Sequence, residues 1–185
     1  YFGNKCTIGV LNNAIDFEKF QHSEQSRIQK RSELGIPEDS LIIGHVGRFA
    51  AVKNHSFIIR VFKKVYELNP YAYLILVGDG ELKKEIEELV KESGLTRNVL
   101  FLGERNDIGD LMSLFDAFIL PSLWEGFPIT LIEAQAAGVR CIVSDRMSEK
   151  VKLTNLVTMM KLEDGERKWA EELLRGKSEP YVEYG

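Results

Sequence analysis

Cysteine is scarce in this 185-residue chain: Cys6 and Cys141 are the only two, and they stand far apart. A disulfide scaffold and a cysteine-rich zinc site are therefore poor readings, and buried or partly buried thiols in a reducing compartment fit better. Histidine is nearly as sparse. His22, His45 and His55 are scattered without metal-ligand spacing, so no metal site is expected. Positive charge is not in excess: 24 Lys and Arg against 28 Asp and Glu give a formal net charge of −4. That balance lacks the basic footprint of a nucleic-acid-binding surface, and no nucleic-acid partner is expected. No apolar run approaches the roughly 20 residues needed to cross a bilayer. Tyr1-Phe2-Gly3-Asn4 has neither the basic nor the apolar region of a secretion signal and lacks an initiator Met, which reads as a processed or truncated start of a cytoplasmic protein. With 44% hydrophobic and 28% charged residues, the chain has the composition and length of one soluble domain with a substantial core.

What is present is an alternation. Residues 41–46 form a continuous apolar run ending at Gly47. Phe57, Ile58, Val61, Phe62 and Val65 then recur at helical spacing, with Asn54 or Ser56 placed to cap the start. Residues 73–77 predict the next strand, Gly78-Asp79-Gly80 a turn, and Leu82, Ile86, Leu89 and Val90 an amphipathic helix stopped at Ser93-Gly94. A strand at 99–102 follows, then a helix capped by Asp107 and carrying Ile108, Leu111, Met112 and Phe115, then a strand at 117–120 ended by Pro121. Residues 129–137 predict a helix with Pro128 at its first turn and Gly138 beyond its end; a strand at 139–143, a helix near 149–153 and a strand at 156–160 close the series. Near-continuous apolar strands joined by helices imply an α/β fold with a parallel sheet covered on both faces. Right-handed crossovers make a doubly wound, Rossmann-like sheet the simplest topology, and the chain is short for an eight-fold barrel. Outside this rhythm, residues 8–11 read as an edge strand or strap, 12–16 as a turn, 23–34 as a polar surface helix ending at Gly35, and 177–185 as a disordered end or part of an interrupted element.

In such a sheet ligands bind beyond the carboxyl ends of the strands, where Arg48, Lys53, Asp79, Arg105 and Glu125 fall. Gly47-Arg48 and Lys53-Asn54-His55 place two cations before a helix start, where free amides and the helix dipole favour an anion. Taken alone, two solvent-facing loop cations are the simpler reading, and the segment is not a P-loop. Gly78-x-Gly80 is a weak signal, better assigned to a tight turn than to binding, with Asp79 able to cap the next helix. The strongest constellation runs from Ser122 to Gly138. Its helix is apolar almost all round except for Glu133, a carboxylate that needs a partner: a cation such as Arg48 or Lys53, or a ligand diol. Gly126 permits close approach, and the first amides of that helix can cradle a phosphate. Glu125 lies outside the helix, so helical spacing does not make the two acids a glycosidase pair. Trp124 reads as a sugar-stacking surface or as an aromatic packed under its loop; His45 reads as a satisfied core histidine. The charge run from Glu81 to Glu88 reads as the wet face of a helix.

These motifs, in this order, resemble family 4 of the nucleotide-sugar glycosyltransferases, also called group 1, over about residues 8 to 175. The most specific is Glu125-Gly-Phe-Pro-Ile-Thr-Leu-Ile-Glu133, the family's Glu-x7-Glu signature; Gly47-Arg48 through Lys53-Asn54-His55, Val77 to Gly80 and Phe101-Leu102-Gly103 support it. The resemblance implies one half of a two-domain GT-B-type enzyme, in which the carboxy-terminal domain holds a nucleoside diphosphate sugar and the amino-terminal domain holds the acceptor. It places Arg48 and Lys53 on the diphosphate and Glu125 on the transferred sugar as the catalytic set. Glu133 falls on the ribose, the amides of Thr130 and Leu131 on the phosphates, and the backbone around Arg105 beside the base. Gly47, Gly78, Gly80, Gly126 and Phe127 border the same site. It further implies a retaining transferase without a cofactor or bound metal, acting on a saccharide or lipid-linked acceptor in polysaccharide or glycoconjugate assembly, with peripheral contact of the full-length enzyme at the inner face of the membrane. On this layout residues 1–35 are an interdomain-side strap, turn and short helix, 36–175 the nucleotide-sugar-binding domain and 176–185 a tail, and the chain is an excised carboxy-terminal domain. One departure is Asn13-Ala14-Ile15-Asp16, where the family often has glycine second; Ala14 in a left-handed turn would cost roughly 1 kcal/mol. A nucleotide-sugar epimerase half and a non-enzymatic nucleotide-binding domain are the alternative readings. A dinucleotide oxidoreductase is disfavoured, because Gly78-x-Gly80 lacks the third glycine.

Overall fold

The computed structural model describes residues 15–175; the strap expected at 8–11, most of the turn expected at 12–16, Cys6 and the tail from 176 lie outside them. After a 3-10 turn at Phe17–Phe20 come α1 (Glu24–Leu34), β1 (Ile42–Val46), α2 (His55–Leu68), β2 (Tyr73–Val77), α3 (Lys83–Glu92), β3 (Val99–Gly103) and α4 (Ile108–Leu114). Then follow β4 (Ala117–Leu120), α5 (Ile129–Ala136), β5 (Arg140–Ser144), β6 (Val157–Met160) and α6 (Gly165–Leu174). The six strands form one parallel sheet in the order β3-β2-β1-β4-β5-β6. This is the expected doubly wound, Rossmann-like sheet, and its order reverses between β1 and β4.

Because successive side chains on a strand face opposite ways, each strand feeds two cores. Ile43, Leu74, Leu76, Ala117, Ile119 and Ile142 pack under α2, α3 and α6; Ile42, Ile75, Val77, Phe118, Leu120 and Val143 pack under α4 and α5. Gly44 interrupts β1 because the ring of Phe115 occupies its space: a Cβ there would lie 2.2 Å from that ring.

Four details depart from the sequence reading. The helix expected near 149–153 is a 3-10 turn, Glu149–Val151, whose Lys150 amide donates to the Ser148 hydroxyl. The polar helix α1 ends at Gly35 as expected and starts one residue later, with Ser23 as its cap, yet one face is docked: Arg27 donates to the Leu114 carbonyl and pairs with Asp116 at 2.7 Å, and Lys30 and Arg31 are buried. Asp107 stands before α4 without capping it, because its carboxylate is held by Arg105 and Lys30. Finally, α6 was not foreseen at all. Its Trp169 is fully buried, meets Phe57 edge-on at 5.4 Å and donates from Nε1 to the Lys161 carbonyl.

Candidate functional site

The loops leaving β1 and β2 are laced by backbone bonds: Gly47 N–H to the Val77 carbonyl, Phe49 N–H to that of Asp79, and Leu82 N–H to that of Phe49. Gly78 and Gly80 exist for this lacing. A Cβ on Gly78, at φ 129°, would fall 2.2 Å from the Gly47 carbonyl oxygen, and one on Gly80 2.6 Å from that of Phe49. The close approach these glycines permit is thus between two stretches of protein backbone. Asp79 does not cap α3; its carboxylate takes Lys83 at 2.9 Å and the Gly80 amide, which hold it below its ordinary range, Lys83 foremost. Phe49 is fully buried and pins the segment that carries Arg48 on one side and Lys53 on the other.

Arg48 and Lys53 differ in setting. Arg48 is 75% exposed and touches Glu81 at 3.3 Å, a contact of little energetic weight in water. Lys53 ends a 3-10 turn and reaches across to the loop after β4, pairing with Glu125 at 2.6 Å with both side chains only 16% exposed. Ser122, fully buried, donates its hydroxyl to the same Glu125 oxygen at 3.1 Å. The two loops are stapled by the Leu123 amide on the Val52 carbonyl and by the Asn54 side-chain amide on the Pro121 carbonyl. That second bond explains why Asn54 makes no cap bond to α2, and why it alone among the described non-glycine residues has positive φ.

Beyond Glu125 the chain is open. A Cβ on Gly126 would meet nothing within 4 Å, while Phe127 packs into the core beneath α5 and Pro128 is buried. Of the first amides of α5, that of Leu131 donates to the Pro128 carbonyl at 3.1 Å; those of Ile129 and Thr130 find no acceptor among the described residues. The Thr130 hydroxyl is buried without a partner. Glu133 is half-buried, and burial alone pushes its carboxyl up. Neither cation expected to neutralise it does so, since Lys53 pairs with Glu125 and Arg48 with Glu81. Among the described residues Glu133 therefore has no partner. Trp124 is 69% exposed, which removes the packed-aromatic reading, and Leu123 and Ile129 are exposed beside it.

A cleft of about 650 Å³ opens next to this pair of loops, lined by Arg48, Gly78, Asp79, Gly80 and Glu104. Its β3 side is formed by Glu104. Arg105 instead folds back in a bidentate pair with Asp107, and that guanidinium, with Lys30 behind it, holds the carboxyl far below the usual range. Sequence reasoning marked the loop after β3 but had no signal to prefer Glu104 over Arg105. It also made His45, beneath Gly47, a satisfied core histidine, which holds at only one of its ring nitrogens. His45 donates from Nδ1 to the Ile119 carbonyl at 2.8 Å, but its Nε2 and both ring nitrogens of His55 are buried without partners. The two rings meet edge-on at 4.7 Å, and His55 stacks on Phe49 at 4.1 Å. Burial, then the neighbouring His55, depresses His45 well below its ordinary value; burial, then Lys53, lowers His55 to about 4. Among the described residues no three His, Cys, Asp or Glu side chains converge as a metal site would, and no helix is long and apolar enough to cross a membrane.

Comparison with known proteins gives this geometry a context. The sequence profile of the family "Glycosyl transferases group 1" matches residues 26–162. The putative glycosyltransferase EpsF of Bacillus subtilis is 43% identical over 169 residues, covering 91% of this chain and 44% of that protein. The UDP-Gal:alpha-D-GlcNAc-diphosphoundecaprenol alpha-1,3-galactosyltransferase of Escherichia coli is 37% identical over 141 residues, covering 75% and 36%. Among solved structures, Anabaena HepE in complex with UDP and glucose superposes with a TM-score of 0.78 at 23% identity, over 89% of this chain and 46% of that one. The chain thus spans less than half the length of these relatives.

Proposed function

The chain belongs to the group 1 glycosyl transferases, and from that membership we propose that it is the donor-binding half of a GT-B-type, retaining enzyme that moves a sugar from a nucleoside diphosphate to an acceptor. The observation that carries the reading is the convergence at the β1/β4 reversal. Lys53 and Glu125 arrive there from opposite loops, the Ile129 and Thr130 amides that open α5 have no acceptor among the described residues, and Glu133 waits half-buried without a partner. Ligands of doubly wound sheets bind at this reversal. The diphosphate would lie between Lys53, the exposed Arg48 and the Thr130 amide, with Leu131 and Gly126 adjoining. These donors stabilise the charge that grows on the leaving group and do so without a metal. Glu133 would take the ribose diol and Glu125 the transferred sugar. The base would lie in the cleft toward Glu104 and the backbone of Arg105, walled by Gly47, Gly78 and Gly80, while Phe127 holds the Glu125 loop from below.

HepE was solved with UDP and with UDP-glucose, and the galactosyltransferase uses UDP-Gal, so uridine donors are the first to test. The undecaprenol-linked acceptor of that relative supports a saccharide or lipid-linked acceptor here, in polysaccharide or glycoconjugate assembly, and peripheral contact of the full-length enzyme with the cytoplasmic face of a membrane. The test is calorimetry with uridine, UDP and UDP-glucose, and with the guanosine series. Lys53→Ala should weaken the diphosphate by about 1.5–3 kcal/mol, the worth of a charge-assisted bond, and leave the nucleoside nearly unchanged. Equal diphosphate affinities for wild type and variant at low salt would refute the assignment. A non-enzymatic nucleotide-binding domain would instead bind diphosphates with no regard for the attached sugar.

A further inference from the structure

The pair between Lys53 and Glu125 differs in kind from the surface ion pairs of this protein. Both side chains are largely withdrawn from water, the separation is 2.6 Å, and the same carboxylate oxygen also accepts from the buried Ser122 hydroxyl. The loops that carry the two residues are joined by a backbone bond and by Asn54, so the charges are held together by the fold as well as by their attraction. The Lys53 ammonium has two further N–H donors, but a diphosphate drawn to them competes with Glu125 for the one positive charge and pulls Lys53 away from it. A diphosphate entering here therefore exchanges one anion for another at Lys53. It also leaves the Glu125 carboxylate beside new negative charge, with Ser122 as its remaining donor.

We infer that Lys53 and Glu125 form a partner-exchange pair by which the site distinguishes a sugar-bearing donor from the spent nucleoside diphosphate. The inference rests on the donor-site reading above and adds to it a discriminating role for Glu125 and a positioning role for Ser122. With a bare nucleoside diphosphate, the carboxylate displaced from Lys53 gains only water as a replacement donor and repels the phosphates. With a nucleotide sugar, hydroxyls of the sugar refill the place that Lys53 vacated. Once the sugar has been transferred, that compensation is gone, Glu125 recaptures Lys53, and the diphosphate is held less tightly. Ser122 sets the balance: its hydroxyl is the one donor that stays with Glu125 throughout the exchange.

The consequence runs against the usual expectation for removing a charged residue from a binding site. Glu125→Gln removes the internal competitor and should tighten UDP binding roughly fivefold to tenfold, the equivalent of one modest charge interaction. The preference for UDP-glucose over UDP should fall toward unity in the same variant. Ser122→Ala should act in the opposite direction, weakening UDP, because a carboxylate that has lost its hydroxyl donor yields Lys53 less readily. A merely structural role would move both variants the same way, and thermal unfolding checks that each still folds. The experiment is calorimetric titration of the whole 185-residue chain and of the Glu125→Gln, Ser122→Ala and Lys53→Ala variants with UDP and UDP-glucose, and with GDP and GDP-glucose. Tighter UDP or GDP in Glu125→Gln together with weaker binding in Ser122→Ala supports the exchange. If wild type binds a diphosphate and loses it in Lys53→Ala while Glu125→Gln binds no tighter than wild type, the exchange is overturned and the donor site stands. If wild type binds neither nucleotide, the donor-site reading falls and this inference with it.

Discussion

At the scale of single residues, the site is built on the 2.6 Å pair of Lys53 and Glu125, with the Ser122 hydroxyl on the same carboxylate oxygen. The Glu-x7-Glu spacing and the two loop cations could be read along the chain, but that Lys53 would meet Glu125 rather than Glu133 depends on which loops the sheet brings together. The same limit hid His55, which in sequence looks like one more polar residue at a helix start. In the fold it is buried against Phe49 and His45 with no partner for either ring nitrogen. A histidine kept neutral in this way links stability to pH. Its value of about 4 in the fold, against 6.5 when free, means that the unfolded chain takes up a proton that the folded chain refuses between those two pH values. Stability should therefore be flat above pH 6.5 and fall as the pH drops toward 4, by about 3 kcal/mol for His55 if its environment stays intact. His45, also depressed, adds to the fall, whereas Glu133, whose carboxyl is raised, offsets part of it. His55→Phe keeps the stack on Phe49 and discards the titrating group. Urea unfolding at pH 7.5, 5.5 and 4.5 should show a clearly shallower acid loss in that variant; parallel losses would mean that other groups set the acid limit.

At the scale of elements, strand positions followed from the sequence almost to the residue, because a buried parallel strand must be apolar on both faces and few other segments are. Helices were less evenly legible. The stripe on α2 is unmistakable, while α6 announces itself only through Trp169, Ala170 and Leu173 amid residues 163–175, which are mostly charged. The 3-10 turn at Glu149–Val151 shows the converse: a few apolar residues near a cap do not make an α-helix when the chain has to return quickly to β6. The most informative element is α5, which buries Leu131, Ile132, Ala134 and Gln135 and leaves Glu133 half-covered beside the loop that carries Glu125. A helix so apolar carries a lone carboxylate at a cost unless something else satisfies it. If that something is a ribose diol, Glu133→Gln should weaken UDP more than 2′-deoxy-UDP, with a coupling of about 1 kcal/mol in a double cycle of protein and ligand changes. A coupling near zero would leave Glu133 as a structural residue and remove the ribose contact from the proposed site.

At the scale of the whole molecule, the order β3-β2-β1-β4-β5-β6 turns scattered residues into a site. Residues 47–54 and 121–133 are separated by some seventy positions in sequence, yet they leave adjacent central strands at the same, carboxyl end. The two cores on either side of that sheet are filled by its own residues, Trp169, Phe62 and Phe118 among the largest. Folding and donor binding should accordingly belong to these 185 residues. Transfer should not. Sugar transfer needs an acceptor hydroxyl held beside the donor carbon, and such positioning contributes roughly 7–11 kcal/mol in favourable cases. The loop that would face an acceptor instead presents Leu123, Trp124 and Ile129 to water. A second domain closing on that face would exclude solvent from the reacting centre as well as orient the acceptor. We therefore expect the purified chain to bind its best nucleotide sugar in the micromolar-to-millimolar range, an affinity of about 4–8 kcal/mol, and to release free sugar slowly at most. Incubation with that donor and a panel of saccharide and lipid-linked acceptors, read by mass spectrometry of the products, is the measurement. Glycoside formation at an ordinary enzymatic rate, on the order of 1 per second or faster, by the chain alone would mean that the acceptor site lies within residues 1–185 and would overturn the division of labour proposed here.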